Sequence, residues 1–161
     1  ARIVETADAA GVSVEGEVGF VGYAEGTPSA NTLPEEAARF NNESGATALA
    51  ISVGNVHLKT EKTSGINFSA LKEIEEVTTL PLVLHGGSGI PVNIRKRLAK
   101  ESRVSKFNIG TELRMAFGNS LRKSLTENPK IFDRITLLSP TVDAVKSVTI
   151  EVICDLNGKA E

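Results

Sequence analysis

The chain has no tryptophan, one cysteine, two histidines and few aromatics, with six phenylalanines and one tyrosine in 161 residues. A single cysteine, Cys154, rules out an internal disulfide framework and a multi-cysteine zinc site, so a reducing compartment, the cytoplasm, is expected. No basic n-region followed by an apolar core marks a secretory signal, and no apolar run approaches the roughly 20 residues of a membrane span. Neither export nor a membrane partner is expected. The formal charge is only -2, without the basic excess that gathers nucleic acid. Nucleic acid is therefore not an expected partner, and any phosphate must be held by local groups.

What is present is a regular alternation. The runs "VSVEGEV" (12–18), "TALAISV" (47–53), "LPLVLH" (80–85) and "VSKFNI" (104–109) have strand length and β-branched content. Between them "LPEEAARFNNESG", "FSALKEIEEVTT" and "PVNIRKRLAKES" have helix length, with Phe68, Leu71 and Ile74 spaced as one buried face. Pro34 and Pro91 fall where a first helical turn tolerates proline. Strands separated by helices pair in parallel, so the fold class is α/β, in a single domain over residues 1–161. The tail reads as a long helix over "TELRMAFGNSLRKSLTEN", a proline-bounded break at 139–140, and a last helix over "TVDAVKSVTIEVICDL". Four strands suffice for an open doubly wound sheet, whereas a (β/α)8 barrel needs eight strands and about 250 residues. Strand count favours the open sheet; the chemistry favours the barrel.

The polar groups gather at strand ends, as they do on the catalytic face of parallel α/β enzymes. Glu15 and Glu17 end the first run, "GNVH" with Asn55 and His57 follows the second, His85 and "GGSG" end the third, and "FNIGTE" ends the fourth. Each has a plain reading and a functional one. His57 and His85 are either hydrogen-bonded loop imidazoles or two ligands of one zinc ion, which in a catalytic site takes three protein ligands. "GGSG" is either a turn or, ahead of the helix opening at Pro91, a backbone cradle for an anion. Glu15 and Glu17 alternate and so share a face, which is either a solvated edge or a buried one needing a metal or a base. Glu25, in "GFVGYAEGTPSAN", sits in either a surface loop or a mobile loop carrying a general base.

In "VSVEGEVG", "T-x-P-E-E-A" from Thr32, "GNVH", "PLVLHGGSG" and "K-x-NIGTEL" from Lys106, taken in order, the chain resembles the class II, zinc-dependent ketose-bisphosphate aldolases. The resemblance implies a TIM barrel, of which these residues are expected to form strands five to eight and a helical tail, assembled as a homodimer or homotetramer. It implies cleavage of a fructose or tagatose 1,6-bisphosphate into dihydroxyacetone phosphate and glyceraldehyde 3-phosphate. It also implies Zn²⁺ held by His57 and His85, with Glu17 as an alternative ligand, and phosphate bound by Gly86, Ser88, Asn108, Ile109, Gly110 and Thr111. By the same resemblance Asn55 lies close to the ketose, and Glu25 is the catalytic acid–base of the mobile loop. A monovalent cation, Na⁺ or K⁺, is implied near the carbonyls of Val56, Gly86 and Ser88. The family's first zinc histidine and its C4-hydroxyl acid belong to a D-x-H-type segment that would lie ahead of Ala1.

Three departures stand out. Leu58 occupies a position where the family has glycine, "YAEG" replaces a more acidic loop, and "FDR" at 132–134 lacks the family's proline, leaving Arg134 a weak candidate for a second phosphate. Two other readings stay open: a catalytically silent half-barrel serving as an assembly subunit, and a metal-free barrel that binds a sugar phosphate.

Overall fold

The computed structural model describes residues 2–24, 26–63 and 65–157. Four strands, β1 (Glu15–Val18), β2 (Ala48–Ile51), β3 (Leu82–Leu84) and β4 (Val104–Phe107), form one sheet in the order β1-β2-β3-β4. All three pairings are parallel. Strand order that follows chain order without reversal lacks the switch point of a doubly wound sheet. It is instead the order of a barrel wall, which decides between the two architectures.

Helices α1 (Arg2–Ala9), α2 (Pro34–Glu43), α3 (Phe68–Val77), α4 (Val92–Glu101), α5 (Thr111–Glu127) and α6 (Arg134–Asn157) complete the chain. Strand alternation separates the two faces of the sheet. Leu49, Ile51, Leu82 and Leu84 point to one side and form the core with Ala37 of α2, Leu71 and Ile74 of α3, and Leu98 of α4. Each such buried side chain contributes roughly 1.5–3 kcal/mol, so this layer holds the helices against the sheet. The opposite face carries Glu15, Glu17, Ala50, Val83 and Lys106, aligned by the pairing register.

Across that polar face the Lys106 ammonium on β4 meets the Glu15 carboxylate on β1 at 2.7 Å. These are the two edge strands, which three inter-strand steps would hold about 14 Å apart in a flat sheet. The contact therefore requires a curved sheet, concave on its polar side.

Several expectations need correction. Glu15 opens β1 rather than closing it, and the strands are shorter than their apolar runs. The "GGSG" loop contains one 3-10 turn, Gly87–Gly89. The expected break at Ser139-Pro140 is absent, because α6 runs through Pro140. Proline withdraws one N–H there, and the flanking hydroxyls bond to other carbonyls of the turn, Ser139 Oγ donating to the Ile135 carbonyl at 2.7 Å and Thr141 Oγ1 to the Leu138 carbonyl at 2.6 Å. No helix among the described residues is long and apolar enough to cross a membrane.

Candidate functional site

His57 and His85 lie beyond the carboxyl ends of β2 and β3, and their ring centroids are 5.7 Å apart at an interplanar angle of 42°. Two imidazoles sharing one tetrahedral zinc, each with Zn–N near 2.0–2.1 Å, would have centroids about 5 Å apart. The observed centroid separation is close to that distance. Burial first, and then the neighbouring His85, hold the His57 imidazole below its ordinary pKa, with Glu17 pulling the other way. A neutral ring is the form that ligates metal.

His85 is oriented from beneath. Its Nε2 lies 3.1 Å from Glu15 Oε1, a hydrogen-bonding distance, whereas Nδ1 stands 3.6 Å from Glu17 Oε2 and makes no such bond. Carboxylates commonly fix a ligating histidine through the nitrogen that faces away from the metal. Glu15 holds the Nε2 side of the ring, and Nδ1 has no hydrogen bond among the described residues. Burial would raise the Glu15 pKa, but hydrogen bonds from Lys106 and His85 outweigh it and keep the carboxyl below its ordinary value.

The third ligand is not gathered. Among the described residues no group of three His, Cys, Asp or Glu side chains could hold a metal ion. Glu25 lies outside the described residues. Its neighbours fold onto the site: the Ala24 N–H donates to the His57 carbonyl at 3.0 Å, and the Tyr23 ring lies 5.2 Å from the His57 ring.

Beside the histidines opens a cavity of about 470 Å³, lined by Tyr23, His57, Gly86, Asn108 to Thr111 and Arg114, among others. None of its lining residues among those described is acidic. Gly86 has φ +65, and a Cβ there would overlap the Val56 carbonyl, so only glycine lets β3 turn beneath the β2 loop. That brings the Val56 carbonyl against Gly86, where the resemblance implies a monovalent cation. On the other wall, the N–H groups of Ile109 and Thr111 have no protein acceptor among the described residues, and α5 begins there. Unpaired amides at the start of a 17-residue helix form a cradle for an anion.

Two expected site residues serve from behind the wall. Ser88 is 5% exposed, and its Oγ accepts the N–H groups of Gly110 at 3.3 Å and Glu112 at 3.2 Å, tying the "GGSG" loop to the start of α5. Asn55 is wholly enclosed. Its Oδ1 accepts from Val53 N–H at 2.8 Å, while Nδ2 donates to the carbonyls of Ile51 at 3.2 Å and His85 at 3.0 Å. Asn55 therefore clamps the ends of β2 and β3, and with them both histidines. Arg134 opens α6 and does not line the cavity.

The sequence and its parallel, sequentially ordered sheet are matched by known proteins. The family described as fructose-bisphosphate aldolase class-II matches residues 1–161. This chain belongs to the class II fructose-bisphosphate aldolase family. It is 35% identical over 153 residues to a fructose-bisphosphate aldolase of Geobacillus stearothermophilus, covering 92% of this chain and 53% of that one. Among solved structures, the YdjI aldolase of Escherichia coli K12 superposes with a TM-score of 0.74 at 30% identity, over 99% of this chain and 54% of that one. A putative fructose-1,6-bisphosphate aldolase of Coccidioides immitis gives a TM-score of 0.78 at 23% identity, over 99% of this chain and 57% of that one. The chain thus spans about half the length of these aldolases, and its four strands and helices match about half of their barrel.

Four positions around the histidines and the cavity had no role in the sequence reading. Lys106 and Arg114 were assigned none, although both lie inside the "K-x-NIGTEL" segment and its continuation. Glu15 was paired with Glu17 by alternation but given no role of its own. Buried Arg95, whose Nη1 meets Glu112 Oε1 at 2.7 Å, carried no signal beyond its place in an amphipathic helix.

Proposed function

We propose that this chain carries the metal-and-phosphate half of a class II aldolase centre, acting on a ketose 1,6-bisphosphate of the fructose or tagatose type. The single observation behind this reading is the approach of the two imidazoles, 5.7 Å apart, beside a cavity that no acidic side chain lines among the described residues. His57 and His85 would hold Zn²⁺, with Glu17 as an alternative donor. When bound, the ion supplies Lewis-acid polarisation of the ketose carbonyl.

The chain's own residues do the positioning. Free amides at Ile109 and Thr111 hold the phosphate, which fixes the distance from that anchor to the reacting carbonyl. Glu15 holds His85 in one orientation through Nε2, and Asn55 holds the backbone of the same residue. Glu25 is the carboxylate assigned to move the C3 proton. The products are dihydroxyacetone phosphate and glyceraldehyde 3-phosphate.

The test combines metal analysis with turnover. The reading expects Zn²⁺ to bind in a 1:1 ratio, to be lost in His57→Ala and in His85→Ala, and to be required for any cleavage of fructose or tagatose 1,6-bisphosphate. Equal zinc affinity in both variants would overturn it. A second reading, a silent half-barrel that binds phosphate without turnover, draws support from the lack of a third gathered donor among the described residues. Phosphate binding without zinc uptake would favour that alternative.

A further inference from the structure

We infer that Arg114 reads the charge of the ligand, making the cavity selective for a phosphate group over an uncharged one. This rests on the assignment of the cavity as the phosphate end of an aldolase site and adds a residue that the assignment did not contain.

Arg114 is an electrostatic misfit. Arg114 lies in the first turn of α5, where the helix dipole and unpaired amides already create positive potential. A cation is disfavoured there unless something negative joins it. Among the described residues no carboxylate lies within 4 Å of its guanidinium, whose one hydrogen bond runs from Nη2 to Thr111 Oγ1 at 3.3 Å. That leaves most of its five N–H donors free. The acid in the same turn, Glu112, is held elsewhere, its Oε1 by the Arg95 guanidinium at 2.7 Å and its Oε2 by the Lys62 ammonium at 3.4 Å. Thus the one carboxylate that could neutralise the helix start is committed to other cations.

The backbone is shaped for this placement. The guanidinium lies over Gly110, where a Cβ would stand 3.2 Å from Nη1 and 3.3 Å from Nη2. Both residues line the cavity, together with Thr111 and Asn108. A phosphate entering there meets the amides of Ile109 and Thr111 on one side and a planar donor fork on another, a geometry suited to two parallel hydrogen bonds. A neutral hydroxyl or carbonyl compound gains little from that fork.

The experiment measures binding of dihydroxyacetone phosphate, inorganic phosphate and unphosphorylated dihydroxyacetone to the full chain and to Arg114→Ala, Arg114→Lys and Gly110→Ala. Losing a charge-assisted contact should weaken both phosphate ligands about tenfold in Arg114→Ala, with partial recovery in Arg114→Lys and no change for dihydroxyacetone. Gly110→Ala keeps the charge but displaces the guanidinium, so a smaller loss of the same kind is expected. The melting temperature of unliganded Arg114→Ala should hold or rise, because a misfit cation has left the helix start; a merely structural arginine would lower it. Unchanged phosphate affinity in Arg114→Ala, with dihydroxyacetone phosphate still bound by the parent chain, would overturn the inference and leave the aldolase reading standing. Arginine-dependent binding of inorganic phosphate without any binding of dihydroxyacetone phosphate would support the inference and overturn that reading. A parent chain that binds neither would overturn both.

Discussion

Leu58 is the one non-glycine residue among those described with a left-handed backbone, at φ +55. A side chain in that region costs roughly 1–2 kcal/mol, and glycine's extra freedom in the unfolded chain returns roughly 0.5–1 kcal/mol of any gain. Leu58 is 53% exposed, so its removal sacrifices little burial. Leu58→Gly is therefore expected to stabilise the chain by up to about 1 kcal/mol, read as a higher urea midpoint. The departure from the family's glycine was visible in sequence; that the backbone keeps the glycine conformation regardless was not.

Glu112 lends itself to a second test at this scale. Arg95 is wholly buried, and its Nε and Nη2 find no partner among the described residues, so the pairing of Nη1 with Glu112 is its main compensation. Removing that carboxylate leaves a buried charge uncompensated, which typically costs about 3–5 kcal/mol. Glu112→Ala should lose that much in chemical denaturation, and adding Arg95→Met should restore much of it. Neither partner stood out in sequence, because 17 positions separate them and the fold alone brings them together.

Among the elements, the helices were more legible than their ends. The apolar spacing of Phe68, Leu71 and Ile74 located α3, and Pro34 located the start of α2, because both signals are local. The course of α6 was not local. Pro140 reads as a stop, yet hydroxyls at Ser139 and Thr141 occupy nearby carbonyls while packing against α5 holds the helix together. At the start of α6, Asp133 Oδ2 accepts from the Thr136 hydroxyl at 2.7 Å and the Thr136 N–H at 2.8 Å. The hydroxyl bond first, and then the backbone bond, hold the Asp133 carboxyl below its ordinary pKa. A depressed pKa in the folded chain means that the cap contributes fully above the unfolded value and is lost as pH falls through the folded one. Circular dichroism of the parent chain and Asp133→Ala should therefore show a gap in melting temperature near neutral pH that closes in acid.

For the molecule as a whole, the strand ends made the site legible. "GNVH" and "LHGGSG" each end a strand, and parallel neighbours deliver their ends to one rim, so convergence of His57 and His85 followed from topology. Glu15 and Lys106 could not be foreseen as partners, since 91 positions separate them and their meeting depends on sheet curvature. The same sheet leaves β1 and β4 with one unpaired side each, and exposed parallel edges recruit further strands. In sedimentation velocity, the 161 residues alone should appear as associated species whose proportion rises with concentration. A concentration-independent monomer would contradict that expectation.

The link between Lys106 and Glu15 has a mechanical consequence. It acts as a bowstring across the bent sheet, and because Glu15 also grips His85, its tension is passed to the imidazole. The lysine end is 53% exposed, so dissolved ions can slacken it. Added sodium chloride should consequently erode zinc affinity well before it disturbs the melting transition, and Lys106→Met should abolish that salt sensitivity while starting from the weaker affinity.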